Sequence, residues 1–534
     1  MTVLRSSDAP LVLEKGKPVR SSVGEWVRPS DWLTLTPPSD SEQKFVGLIA
    51  VFDQTSNYVA LRASVSSGTY TVDWGDGSSP VTVTSNTTAE YNYSYSSLSS
   101  STDCSRGYRQ AIVTVTPTTA GATFSLFGLD YRHSARTSDL TVSAWLDVAV
   151  SAPNATTLRL SGTSTGNVTT VRLQILEQAK VVAHNATNMA FMFANCSSLK
   201  SVPLFNTSSV TNMQAMFQNC HSLQSVPLFN TSSVTNMSNM FNGCYSLQSV
   251  PLFNTSSVTN MNTMFDNCRS LQSIPLFNTS SVTDMSSMFN GCSFQSVPLF
   301  NTSSVTNMGS MFQQCRSLLS VPLFNTSSVT NMQAMFNNCH SLQSVPLFNT
   351  SSVTNMSSMF QNCYSLREIP ELDLSKISSA SNNNMVFTNN VTLGKAKLTG
   401  MRWTQSFSGT NLGATELDEM YTALDKLNPN VTNVTATGTV VTYTVDDITA
   451  FVANRTVTIT GVDPVAYNLT NVTVATVNVA NSRFTVNNAA TGTYVSGGVA
   501  ALQDNRTITV TNNPGISGDD PTIATNKGWT VTGS

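Results

Sequence analysis

The chain has 534 residues, of which only 11 % are charged, and 27 Lys and Arg against 30 Asp and Glu leave a formal net charge of -3. So weak and balanced a charge argues against a nucleic-acid partner, which needs a basic face. No apolar run reaches the length of a bilayer span, so membrane insertion is not expected, and the opening MTVLRSSDAPLVLEKGKPVR holds no secretory apolar core.

The length leaves room for three or four domains, and composition shifts along the chain mark them. Residues 1–44 show no clear periodicity and place three prolines close to aromatics in EWVRPSDWLTLTPP, which predicts an extended arm. Trp26 and Trp32 are its candidate assembly residues. They either anchor the arm on a partner or fold it back on its own domain.

Residues 45–150 alternate apolar and polar positions in KFVGLIAVF, YVALRASV, GTYTVDW, RQAIVTVTP and LTVSAWLDVAV, with turn residues between, the pattern of a β-sandwich. The stretch YTVDWGDGSSPVTV resembles the polycystic-kidney-disease (PKD) type of immunoglobulin-like domain through its WGDG turn. Asp73 and Asp76 in that turn fit a hairpin stabilised by aspartate, with calcium binding as the alternative.

A repeat dominates the middle of the chain. Cysteines at 196, 220, 244, 268, 292, 315, 339 and 363 are separated by six steps of 24 residues and one of 23, each inside a near-copy of SLQSVPLFNTSSVTNMxxMFxxC. A fixed period of this size predicts a solenoid, because one unit with about eight apolar side chains cannot offset the entropy of ordering itself and must stack on its neighbours. Within the unit Leu223 to Cys244, the spacing Leu223, Val226, Leu228 predicts a short strand, and Val234, Met237, Met240, Phe241 and Cys244 at three- and four-residue steps predict a helical turn or two started by Ser232 or Ser233. A proline such as Pro203, Pro227 or Pro251 in every predicted strand implies short, imperfect ladders. The phenylalanine column from Phe205 to Phe348 is assigned to the core.

Of the three readings of the cysteine column, small buried thiols fit best. Disulfides between adjacent coils and a zinc site come behind, because sulfurs in a row neither reach bonding distance nor converge on a tetrahedron. Seven Asn-Thr-Ser triplets, the first at Asn206, match a glycosylation acceptor, but these residues also suit a turn for backbone hydrogen bonding alone.

The wording VTNMxxMFxxC after LxxVPLFNTSS resembles the BspA-like bacterial surface-protein repeat, a leucine-rich-repeat subtype found in adhesins and phage structural proteins. The resemblance covers 187–375 strongly within a solenoid of residues 151–430, and it implies extracellular binding. Inside the repeats, variation gathers between the two methionines and at the residue after each cysteine. That second column offers the binding candidates His221, Tyr245, Arg269, Arg316, His340 and Tyr364, types that stack on sugars or anchor protein contacts; unconstrained drift on a solvated face explains them equally well. The run from Met213 recurs from Met332, 119 residues on, as a duplication of five coils would give.

Past the repeats, Thr415 is expected to open a helix with Leu417, Met420, Tyr421, Leu424 and Leu427 on one face and Asp418 completing a capping box. Residues 434–500 read as an inserted β module, whose phrases VTITGVDPVAYN and TGTYVSGG resemble a module of phage tail and fibre proteins. Residues 501–534 read as a solenoid cap of strand, short helix after Pro521 and strand, and their ending resembles phage proteins built on this repeat.

The fold expected is therefore mainly β with short helices: an N-terminal PKD/Ig-like β-sandwich, a central leucine-rich-repeat solenoid of 24-residue coils, and a small β module inserted near the C-terminus. No nucleophile elbow, phosphate loop, HExxH or carboxylate pair stands out, and of the four histidines, His133, His184, His221 and His340, the last two are repeat-column members with no acidic partner fixed beside them, so neither enzyme activity nor a cofactor or metal is expected. The functional expectation is a phage virion protein, a tail fibre, spike or capsid appendage. Its arm and sandwich would contact other virion proteins and its solenoid a host-surface glycan or protein, with a homotrimer as one possible assembly. A bacterial cell-surface adhesin and a passive capsid decoration protein are the alternatives.

Overall fold

The structure, a computed structural model, describes residues 13, 14, 17, 18 and 28–534, apart from 55, 130, 132, 136–143, 161–174, 378–386, 388, 389, 402–404, 425–428, 430, 438, 452, 461, 463, 464, 488–497, 503–505, 511, 512 and 534. It forms two compact units, Met1–Ser304 and Val305–Ser534.

The first unit starts with a two-residue hairpin, β1 (Leu13–Glu14) and β2 (Lys17–Pro18). Two sheets follow. In chain order their strands are β3 (Lys44–Val51), β4 (Asn57–Val65), β5 (Thr69–Asp73), β6 (Val81–Thr84), β7 (Thr88–Tyr93), β8 (Arg109–Pro117), β9 (Phe124–Gly128), β10 (Trp145–Ser151), β11 (Thr157–Arg159) and β12 (Gln178–Val182). One sheet runs β12-β10-β3-β8-β5-β6 and the other β11-β9-β4-β7. They pack through Phe45 of β3 on Phe127 of β9, ring centroids 4.7 Å apart, with Trp145 edge-on to Phe45 at 5.3 Å. Residues 46–51 of β3 are buried without alternation, as suits a central strand covered on both faces.

Trp32 is built into this unit. It is 3 % exposed, donates its indole N–H to the Tyr108 hydroxyl at 3.0 Å, and packs with Leu48, Ala50, Cys104 and Leu146. The guanidiniums of Arg28 and Arg106 lie 5.5 and 5.4 Å from its ring. Arg28 bonds Asp147 at 3.0 Å, and Arg106 pairs with Glu177. This stretch of the predicted arm is folded back on its own sheet, so Trp32 is a core residue here and not an exposed anchor. Trp26 lies outside the described residues.

The WGDG turn is held by its own aspartates: Asp73 accepts from the Gly75 amide at 2.9 Å, and Asp76 accepts from Ser78 N and the Tyr91 hydroxyl. Both carboxylates serve the turn, and Trp74 is buried against Tyr91 and Tyr93.

The sheets lead into the solenoid. Thr157 of β11 bridges in parallel to Asn188, which starts the ladder Asn188, Asn212, Asn236, Asn260, Asp284. The expectation of a strand and a helix in each coil is corrected: residues 187–304 contain neither, only single-residue bridges and turns. In the MxxMFxxC segment, alternate amides point to different places. Met213, Ala215, Phe217 and Asn219 donate to the carbonyls of Asn236, Ser238, Met240 and Asn242 in the next coil. Met216, Gln218 and Cys220 donate three residues back within their own coil. Ala215 and Asn219 sit at φ +52° and +58°, which breaks any helix into successive turns. Nor does Ser232 or Ser233 start a helix; Asn230 accepts from Ser232 N, and the next turn is begun by Asn236, which accepts from Ser238 N.

These turns place Met, Phe and Cys in the core at 0–1 % exposure in the coils from Met213 to Cys292. Phe193, Phe217, Phe241, Phe265 and Phe289 stack at 5.4, 5.7, 5.6 and 5.9 Å, which sets the pitch of the coils. The second phenylalanine column, Phe205 to Phe300, is also buried. The strand pattern needs a correction at its end. Phe229 donates its amide to Pro227 O at 2.9 Å, a three-residue γ-turn repeated at Phe253 and Phe277. That turn sends Phe229 inward at 2 % exposure and leaves Leu228 outward at 59 %.

The second unit carries the same coils from Val305, with parallel bridges Asn307 to Asn331 to Asn355. Its phenylalanine stack, Phe312, Phe336, Phe360, continues through Phe387 and Phe407 in the degenerate coils. Paired parallel strands then replace the single bridges: β13 (Glu368–Asp373) with β14 (Lys395–Thr399), and β15 (Gln405–Ser406) beside strands from the end of the chain. Helix α1 (Ala414–Thr422) buries Leu417, Met420 and Tyr421. Leu427 lies outside the described residues. The predicted capping box does not form: Gly413 is the N-cap, and Asp418 accepts from the Asp520 amide at 2.7 Å instead.

From 431 to 502 the chain builds an antiparallel sheet. Its strands are β16 (Val431–Thr437), β17 (Val440–Val445), β18 (Thr456–Thr460), β19 (Leu469–Asn478), β20 (Arg483–Asn487) and β21 (Val499–Leu502), in the order β16-β17-β20-β19-β18-β21. It then returns to the ladder, where β22 (Thr507–Thr509) pairs in parallel with both β15 and β23 (Thr530–Thr532), and α2 (Thr522–Thr525) lies between. Lys527 donates to the Leu424 carbonyl just past α1 at 2.8 Å, a cation where a helix C-terminus favours one.

Candidate binding surface

The residue after each cysteine follows a core position in a ladder, so its side chain is held in a column. Ser246 N donates to His221 O and Ser270 N to Tyr245 O, which locks the backbone on both sides of the candidates. In the first unit the column closes on itself: the Tyr245 ring lies 4.6 Å from His221, 13° from parallel, and the Arg269 guanidinium carbon is 4.9 Å from the same ring. Because the three side chains come from successive coils, the faces of Tyr245 are taken by its neighbours. What the column offers outward is ring edges, a phenol hydroxyl and a guanidinium, which suit hydrogen bonding and charge better than face stacking on a sugar.

Burial lowers the pKa of His221, keeping its imidazole neutral further into acid. The corresponding group in the second unit is Arg316, His340 and Tyr364. There His340 and Tyr364 lie 4.7 Å apart at 36°, and burial followed by the Arg316 charge lowers the imidazole pKa. The duplication thus repeats the same His–Tyr pair with a looser stack and the arginine on the histidine's side.

Beside Arg269 the regular surface is interrupted. The coil from Cys292 is one residue short, so Phe294 takes the place of the usual leucine and packs edge-on to Phe289 at 5.4 Å. An open hollow of 500 Å³ is lined there by Arg269, Gln272, Ser293 and Gln295 among others. A second, 610 Å³ cleft lies where β12 meets the first coils, lined by Lys180, His184, Leu204, Asn206 and Leu228 among others.

The turn asparagines are engaged locally: Asn230, Asn254, Asn278 and Asn301 each accept from the serine amide two residues on. The thiols are interior. All nine cysteines are buried, and Cys220, Cys244 and Cys268 donate to the carbonyls of Phe193, Phe217 and Phe241 at 3.1 Å. Burial pushes the Cys220 thiol well above its ordinary pKa, and neighbouring Cys196 and Cys244 add to the effect.

Sequence reasoning missed one surface feature, the exposed leucine row Leu204, Leu228, Leu252, Leu276 and Leu299 of the first unit, to which Leu323 and Leu347 correspond in the second. Its signal was the tripeptide Pro-Leu-Phe, whose γ-turn breaks the alternation that assigned these leucines to the core.

A family model described as "Mycoplasma protein of unknown function, DUF285" matches residues 187–299 and 292–397. Both matched stretches fall within the repeats and the coils that follow them. Among solved structures, the leucine-rich-repeat protein TpLRR of T. pallidum is similar at 19 % identity over 45 % of this chain and 83 % of that one, with a TM-score of 0.20. A TLR13–ssRNA13 complex is similar at 12 % identity over 47 % of this chain and 42 % of that one, with a TM-score of 0.21. No curated protein matches the sequence.

Proposed function

We propose that this is a non-enzymatic attachment protein of a phage particle, a tail fibre, spike or capsid appendage. In this reading residues 45–150 form a PKD/Ig-like sandwich that joins other virion proteins, and the BspA-like solenoid engages a protein or glycan of the host surface. The observation that carries the binding reading is the His221, Tyr245 and Arg269 column, whose side chains are fixed in advance by mutual stacking on a hydrogen-bonded scaffold. Preordered polar groups lose little entropy when a partner is met, and a second set at Arg316, His340 and Tyr364 adds effective concentration.

Immunogold labelling with antibody against residues 187–375 tests the location. Label on purified particles is expected, and label on the envelope of uninfected cells would replace this reading with that of a cell-surface adhesin. Adsorption of particles carrying Tyr245→Ala with Arg269→Ala tests the role: slower adsorption is expected, whereas an unchanged rate, also seen when the solenoid is deleted, would leave a passive decoration protein.

A further inference from the structure

We infer that the leucine row of the first unit is a self-association surface, on which a second copy of this chain docks with its coils running the opposite way. Leu204, Leu228, Leu252, Leu276 and Leu299 are 66, 59, 62, 60 and 59 % exposed, one per coil, and at Leu228, Leu252 and Leu276 the γ-turn directs the side chain outward. With the neighbouring prolines they present on the order of 600 Å² of apolar surface, at the upper end of what a monomer leaves in water and close to one partner's share of a standard interface.

Three observations commit the row to a second copy of the chain. The first is spacing: one leucine stands on each coil, so a second copy presents apolar side chains at the same repeat. A partner of unrelated sequence would need apolar groups at the same spacing. The second is charge. No Lys, Arg, Asp or Glu occurs from Ser201 to Phe265, so the coils that carry Leu204, Leu228 and Leu252 bring no charge of their own to the contact. The third is symmetry: an antiparallel pair related by a two-fold axis is self-complementary and closes, leaving neither leucine row free to recruit more chains.

The row is separate from the His221, Tyr245 and Arg269 column, so the two can be tested apart. Sedimentation equilibrium of the full chain should give the mass of two chains, and Leu252→Glu with Leu276→Glu should give one, with the circular-dichroism spectrum of the wild type because neither side chain belongs to the core of its own chain. Leu252→Met with Leu276→Met should keep the pair. Tyr245→Ala with Arg269→Ala should also keep it, even if that variant abolishes attachment. A one-chain mass for the wild type at every concentration would overturn the inference, as would a three-chain mass or an assembly that survives the double glutamate variant. Cosedimentation of a one-chain wild type with phosphatidylcholine vesicles, lost in that variant, would likewise overturn it and assign the row to a lipid surface.

Discussion

The His221 imidazole and the Tyr245 ring lie 4.6 Å apart and 13° from parallel, and burial lowers the pKa of the histidine. Burial resists its protonation, so the folded chain binds that proton less readily than the unfolded chain, whose histidine titrates near pH 6.5. Stability tied to this group is complete above that pH and is lost as pH falls towards the lowered folded value. His340 acts in the same direction. The melting temperature is expected to fall on acidification from about pH 7.5 to about pH 5.5, and His221→Gln with His340→Gln should flatten that part of the curve. A double variant that retains the full slope would place the acid sensitivity elsewhere.

The buried thiols give a second expectation. A thiol that donates to a carbonyl in a dry column, with its pKa raised, presents neither thiolate nor access. A thiol reagent added to the native protein should find almost no reactive cysteine, and all nine should titrate once the chain is unfolded. Dithiothreitol should leave the melting temperature unchanged. A drop under reducing conditions would show that adjacent coils are held by disulfides.

Backbone strain supplies a third. Thr263 sits at φ +59°, where a β-branched side chain is least at ease, and the equivalent position one coil earlier is Asn239 at φ +58°. Asparagine tolerates the left-handed region better, so Thr263→Asn should stabilise the protein by about 1 kcal/mol in urea unfolding. Asn239→Thr should cost a similar amount. If both changes were neutral, the coils would be relaxing around this residue.

The period, the buried Val, Met, Phe and Cys positions and the return to the ladder after residue 502 could all be read from the sequence, because each rests on which residues recur and not on backbone conformation. The conformation itself was misread. Turns with bonds three residues back bring Met213 beside Met216 and Phe217 beside Cys220, so they give the same three- and four-residue stripe as a helix. The distinguishing sign was present: asparagine or glycine precedes cysteine at Asn195, Asn219, Gly243, Asn267, Gly291, Asn338 and Asn362, the residues that best accept positive φ. Trp32 was ambiguous for another reason. Its burial depends on Tyr108, 76 positions along the chain, and no local pattern carries that.

The last prediction concerns Asp266. Its carboxylate accepts from the side-chain amides of Asn242, Asn267 and Asn290 at 2.8, 2.8 and 2.9 Å, in a column where the neighbouring coils of the first unit use Gln218, Asn242 and Asn290. Burial outweighs those three bonds and raises its pKa. The folded chain therefore holds this proton more tightly than the unfolded one, and stability tied to Asp266 falls as pH rises through the raised value, opposite in sign to the histidines. Asp266→Asn, which makes the column wholly amide, should raise the melting temperature slightly at pH 7, and the gain should vanish near pH 3.8, where the wild-type carboxyl is protonated as well. A variant less stable than wild type at pH 7 would mean that the three charge-assisted bonds outweigh the burial of the charge.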